Sequence, residues 1–202
     1  MADTMTTVVY TGGCCGDLIT ALIDLSNTEL VNGRVKLPAE RQRLKKPHLF
    51  STDQQRHDYM SEISRAYRSI PSHDFDYHQR MNHDMILITV EDPAVALWAA
   101  TRFQALHRPQ VWQEMQQKCG ASTVENYAEI LINWSRMVCD ASDQVLDLAR
   151  IGQGHAIEDL ENLLQSQVTL QAKYFYNEWL QCQNSGNRDT LRSTTDHNHA
   201  KM

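Results

Sequence analysis

The sequence predicts an α/β fold, a parallel sheet flanked by helices with a helix-rich C-terminal half, and three observations carry that expectation. Thr6-Thr-Val-Val-Tyr10 and Met85-Ile-Leu-Ile-Thr-Val90 are short, continuous apolar runs of the kind seen in strands buried on both faces. Each runs within a few residues into a helical pattern, so strand and helix alternate. From about residue 109 the apolar positions recur mostly at helical spacing.

Taken in order, the first strand enters Thr11-Gly-Gly-Cys-Cys-Gly-Asp17, and Leu18, Ile19, Leu22, Ile23 and Leu25 then mark a helix over residues 16–26. Residues 27–50 have no clear period and contain Asn32-Gly33, Pro38 and Pro47, which predicts an irregular excursion. Residues 52–68 read as a helix capped by Ser51 or Thr52, and Ser69–His73 is a candidate second strand. The strand at 85–90 stops at Glu91-Asp92-Pro93, where proline suits the first turn of the helix continued by Val95, Leu97, Trp98, Ala99, Phe103 and Leu106. Amphipathic stretches near 109–118, 123–149 and 156–183 follow, separated by Gly120 and by Ile151-Gly-Gln-Gly-His155, with room for a short strand near residue 150. Residues 1–184 are expected to form one domain, as the length of 202 residues suggests, and the polar segment 185–202 to be a disordered tail.

Composition narrows the function classes. A hydrophobic fraction of 42% and a charged fraction of 22% are those of an ordinary globular protein. No apolar run approaches the roughly 18 residues that cross a bilayer, and Asp3 without a basic leader does not suit a secretory signal, so a cytosolic protein with no membrane partner is expected. Cys14, Cys15, Cys119, Cys139 and Cys182 are odd in number and scattered, against a disulfide framework or a zinc site. The net charge of −6 excludes a nucleic-acid coat, yet Arg34, Lys36, Arg41, Arg43, Lys45 and Lys46 crowd residues 34–46 against the single acid Glu40. That segment is either a polyanion contact or a solvated basic loop.

Strand, glycine-rich turn and helix together aim backbone N–H groups and a positive helix end at an anion, which makes Gly12, Gly13, Cys14, Cys15 and Gly16 candidate ligand-holding residues. The usual phosphate-loop signature ends in Gly-Lys-Ser or Gly-Lys-Thr. Here Gly16-Asp17-Leu18 stands in that place, so a purely structural tight turn is the competing reading, and Asp17 is a magnesium ligand or a helix cap. Arg102 and Arg108 are candidates for the missing positive charge, or else solvated partners of helix ends. Cys14 and Cys15 lie where a helix N-terminus lowers a thiol pKa, although small residues in such a turn also serve packing.

His73-Asp-Phe-Asp-Tyr-His78 is the densest titratable group, at the end of a candidate strand, where open α/β sheets place a ligand crevice. His73 or Asp74 is a candidate base there, against the alternative of a polar loop with one capping Asp and exposed histidines. Asp92 is a magnesium ligand through water or an N-cap. Trp98, Trp112, Trp134 and Trp179 are expected in the core, with base-stacking platforms the alternative, and His197 and His199 in the tail are solvated or bind adventitious metal.

Val8-Val-Tyr-Thr-Gly-Gly-Cys-Cys-Gly-Asp17, and more loosely Ile86-Leu-Ile-Thr-Val-Glu-Asp-Pro93 with the helix to Arg102, resemble the P-loop phosphotransferase and sulfotransferase-like superfamily over about the first 110 residues. Within it the chain is most similar to the bacteriophage 5-hydroxymethyluracil DNA kinases, which phosphorylate a hydroxymethylated base in DNA during thymine hypermodification. The resemblance implies a P-loop-like sheet, ATP and Mg2+ as cofactors, and in-line transfer of a phosphoryl group. It implies loop amides from Gly12, Gly13 and Gly16, magnesium placed by Asp17 or Asp92, and a hydroxyl deprotonated by His73 or Asp74. Arg41, Arg43, Lys45 and Lys46 would hold the DNA backbone, and the target base would leave the stack. The alternatives are a sulfotransferase-like enzyme using a phosphosulfate donor, with His73 as base, and a non-catalytic nucleotide-binding protein.

Overall fold

A computed structural model describes residues 5–26, 50–64 and 67–185. The basic segment with Arg41, Arg43, Lys45 and Lys46, and the tail residues His197 and His199, lie outside the described residues. The elements are β1 (Thr6–Val9), α1 (Gly16–Ser26), α2 (Asp53–Ile63), β2 (Ser69–Ser72), α3 (Phe75–Arg80), β3 (Met85–Thr89), α4 (Pro93–Leu106) and α5 (Pro109–Cys119). After these come α6 (Val124–Val138), β4 (Val145–Asp147), α7 (Leu148–Gln153), α8 (Ala156–Leu164) and α9 (Leu170–Ser185).

The four strands form one parallel sheet in the order β2-β1-β3-β4, flanked by helices as the strand–helix alternation predicts. Val8 lies opposite Pro71 on one side and Ile86 on the other. Proline is tolerated there because, among the described strands, β2 is an edge that pairs only with β1. Two-residue alternation splits the core between the faces of the sheet. Val8, Ile86, Ile88 and Leu146 join α1, α4, α6 and the C-terminal helices in the main cluster, whereas Val9, Met85 and Leu87 pack with Val138 and the half-buried Phe75 and Trp134. Full burial of each such side chain contributes roughly 1.5–3 kcal/mol.

The chain goes from β1 to β2 on one side and then places β3 on the other side of β1. In open α/β sheets a ligand crevice lies outside the carboxyl ends of the strands where the order reverses in this way. The β1–α1 turn opens at that position. Among the described residues no helix is long and apolar enough to cross a membrane.

Two expected helices are interrupted. Residues 123–149 divide because α6 ends in a 3-10 turn, Cys139–Ala141, after which Ser142 Oγ donates to the Met85 carbonyl at 3.1 Å and accepts from Gln144 N. That turn delivers Val145 and Leu146 to the open side of β3, and the short strand expected near residue 150 is Val145–Asp147. Residues 156–183 divide at Gln165, which takes a left-handed φ of 50° to close α8. Thr169 Oγ1 then donates to the Leu25 carbonyl at 2.7 Å and accepts from Ala172 N, starting α9 against α1. In both places side-chain hydroxyls capture backbone groups, which helical periodicity does not register.

Candidate functional site

The β1–α1 turn is closed by Cys14 N donating to the Thr11 carbonyl at 3.1 Å, and α1 begins with Leu18 N and Ile19 N on the Cys15 carbonyl. Gly13 has a φ of +96°, and a Cβ there would lie 2.3 Å from the Ala99 carbonyl oxygen. A Cβ on Gly16 would lie 2.0 Å from the Tyr10 ring, and one on Gly12 within 2.8 Å of Phe103 and the Tyr127 hydroxyl. Close packing against α4, α6 and Tyr10 therefore accounts for all three glycines without a ligand.

The polar groups of the turn have a second consequence. Tyr127 donates to the Gly12 carbonyl at 3.3 Å and Arg102 to the Gly13 carbonyl at 3.1 Å, tying two turn carbonyls to α6 and α4. Among the described residues the amides of Gly12, Gly13, Cys15 and Gly16 donate no backbone hydrogen bond outside regular elements, and Gly12, Cys15 and Gly16 are buried. A buried N–H ordinarily has a partner, so these donors suit an anion or ordered water. Arg102 adds the positive charge, half-buried beside the turn, with its guanidinium carbon 5.6 Å from the centre of the Trp98 ring.

Tyr10 joins the turn to the His73 cluster. Its ring is buried on Gly16, its hydroxyl is hydrogen-bonded to Asp17, and burial together with that carboxylate raises its pKa well above the ordinary value. His73 is exposed, packs its ring 4.4 Å from that of Tyr10, and places Nδ1 2.7 Å from the Tyr10 carbonyl. A carbonyl only accepts, so Nδ1 carries the proton of this bond, and whenever the ring is neutral its basic nitrogen is Nε2.

Asp74 serves a different purpose. One carboxylate oxygen caps α3 by accepting from Tyr77 N at 3.1 Å, and the other pairs with Arg56 at 2.9 Å. Asp92 caps α4, accepting from Ala94 N at 2.8 Å and Val95 N at 3.1 Å. Arg108 is exposed at the start of α5, where its carbonyl accepts from Val111 N and Trp112 N. The structure thus brings His73, Asp17, Arg102 and the glycine turn together, while Asp74 and Asp92 hold helix starts.

Burial, not the helix end, governs the two turn thiols: it pushes Cys14 up to about 12 and raises Cys15 as well, so neither is an activated thiolate. Trp112 and Trp179 are buried and Trp134 is half-buried, but Trp98 is 37% exposed, against the expectation of a core residue. Arg56 has no role in the sequence reading, and His78, the last member of the His73–His78 cluster, is not the exposed histidine that a polar loop would hold. Arg56 bonds Phe50, Asp53 and Asp74 and covers the Tyr77 ring, and His78 is wholly buried between Ser72 Oγ and His83 Nδ1, each at 2.8 Å. Nothing in the local sequence distinguishes Arg56 from a surface charge on a polar helix, and nothing around His78 signals its burial.

The described residues contain no group of three or more His, Cys, Asp or Glu side chains placed to hold a metal. Magnesium usually keeps several waters and takes one or two carboxylates plus substrate phosphates, a demand that the exposed Asp17 beside the turn fits. Comparison with known proteins adds no relative: no family model matches the chain, and neither a curated protein nor a solved structure matches it.

Proposed function

We propose that this protein is a P-loop-like phosphotransferase that moves the γ-phosphoryl group of ATP to the hydroxyl of 5-hydroxymethyluracil in DNA, in the cytoplasm of a phage-infected host. The observation that carries the reading is the meeting of unpaired turn amides, the Arg102 guanidinium and a base-competent His73 around one strand end. The amides and Arg102 stabilise charge on the transferring group, and His73 Nε2 takes the proton of the attacking hydroxyl as the new P–O bond forms and the bond to the ADP oxygen breaks. Magnesium, when bound with the nucleotide, offsets phosphate charge, with Asp17 its carboxylate partner and Asp92 the other candidate. Of the two base candidates, His73 is favoured over Asp74, whose oxygens are engaged by Tyr77 and Arg56. The basic segment from Arg34 to Lys46 supplies the backbone contact with DNA.

The test is to incubate the protein with magnesium, ATP and hydroxymethyluracil-containing DNA, then weigh the digested nucleotides by mass spectrometry. A phosphate-bearing product, lowered about 10² to 10⁴-fold by His73→Ala, is expected. A sulfated product formed only from phosphosulfate would replace the kinase by a sulfotransferase, and ATP binding without product would leave a nucleotide-binding protein.

A further inference from the structure

Two adjoining hollows, of about 350 and 380 Å3, lie between α4, α7 and α9 and share walls formed by Ala94, Trp98 and Gln183. The first is floored by Val95, at the start of α4, and by Leu148 and Ala149, at the start of α7. Those helices begin just after β3 and β4, so the hollows open at the carboxyl ends of the strands, the side on which the glycine turn follows β1. The second hollow reaches Arg102, whose guanidinium is bonded to Gly13 O. Turn, guanidinium, indole and cleft therefore follow one another without a gap in the chain of contacts.

Three features give the cleft the character of a base pocket. Trp98 offers an aromatic surface that is 37% exposed, unlike the buried Trp112 and Trp179. Gln153 and Gln183 bring side-chain amides, each with donors and an acceptor, to an otherwise largely apolar wall. Gly152 lies within α7, where glycine is disfavoured relative to alanine, and a Cβ there would meet nothing within 4 Å. Packing does not call for that glycine, and its lack of a side chain keeps the cleft open.

We propose that this cleft receives the base of a nucleoside triphosphate, stacked against Trp98, while its phosphates pass Arg102 to reach the glycine turn. The assignment rests on the phosphate-holding reading of that turn and adds the part of the ligand that the turn does not touch.

Two probes separate the parts, magnesium ATP and magnesium tripolyphosphate, titrated into the wild-type chain and into Gly152→Leu and Trp98→Ala. A side chain at position 152 starts into open space and leucine favours the helix, so the fold is expected to be retained, as circular dichroism will verify. The expected result is that both variants bind ATP roughly 10-fold or more weakly while tripolyphosphate affinity stays unchanged in Gly152→Leu, which does not touch Arg102. Equal ATP affinity in all three proteins, with tripolyphosphate still bound, overturns the base pocket and leaves the turn intact. Failure of the wild type to bind either probe overturns the turn reading and the base pocket with it.

Discussion

Single residues in this chain carry consequences that their type alone does not announce. Gly13 and Gly152 are both glycines, yet alanine at 13 meets a left-handed φ and the Ala99 carbonyl, whereas alanine at 152 meets open space. Gly13→Ala is expected to lower stability by about 2–4 kcal/mol and Gly152→Ala to raise it by up to about 1 kcal/mol, as urea denaturation will measure. The sequence made the glycine turn legible, because three glycines between a strand and a helix have few other uses. It did not reveal that Tyr10, Phe103 and Tyr127 fill the space each glycine leaves, since those contacts join residues up to 115 positions apart. His78 is a second case. Burial, then His83 and Arg56, hold its pKa down to about 3 from 6.5, so the unfolded chain takes up a proton that the folded chain refuses. Stability is therefore full above pH 6.5 and falls as pH drops toward 3, by about 1.4 kcal/mol per unit in the steep part. Wild type should lose roughly 2 kcal/mol between pH 6.5 and 5, and His78→Asn distinctly less; equal losses would assign the acid sensitivity to other groups.

At the scale of elements, caps decide boundaries that periodicity leaves open. Thr52 and Gln55 form a reciprocal capping box at α2, Asp74 caps α3, Asp92 caps α4 and Asp147 caps α7. The starts of α1 and α4 were readable to the residue, because Gly16 and Pro93 punctuate the chain there. The joints at Ser142 and Thr169 were not, because each depends on a hydroxyl reaching a backbone carbonyl far away in the sequence, at Met85 and Leu25. Asp92 offers a direct test of cap against metal ligand. Asp92→Asn keeps an accepting oxygen for Ala94 N and Val95 N, so its thermal midpoint should stay near wild type, while Asp92→Ala should lose about 1 kcal/mol. A large fall in magnesium-dependent turnover with Asn alone would transfer Asp92 from the cap to the metal.

For the whole molecule, the sheet order matters most, because the reversal between β1 and β3 sets the glycine turn, Arg102 and the Trp98 cleft on one side of the sheet. Alternating strand and helix patterns made the parallel sheet legible, but the fourth strand, three residues long, is too short for any period to show. The candidate site was legible as a turn, Asp17, Arg102 and a histidine; the link through Tyr10 and the exposed indole were not, since a buried tyrosine and a helical tryptophan both read as core. The central claim is that the turn and Arg102 hold a nucleotide's phosphates. Isothermal titration of magnesium ATP into wild type and Arg102→Gln tests it most directly, because losing a charge-assisted bond costs about 1.5–3 kcal/mol, roughly 10- to 100-fold in affinity. Saturable 1:1 binding by wild type, weakened by that factor in a variant with an unchanged thermal midpoint, is the predicted result. No binding by the wild-type chain at millimolar ATP, or equal binding by the two proteins, would contradict it.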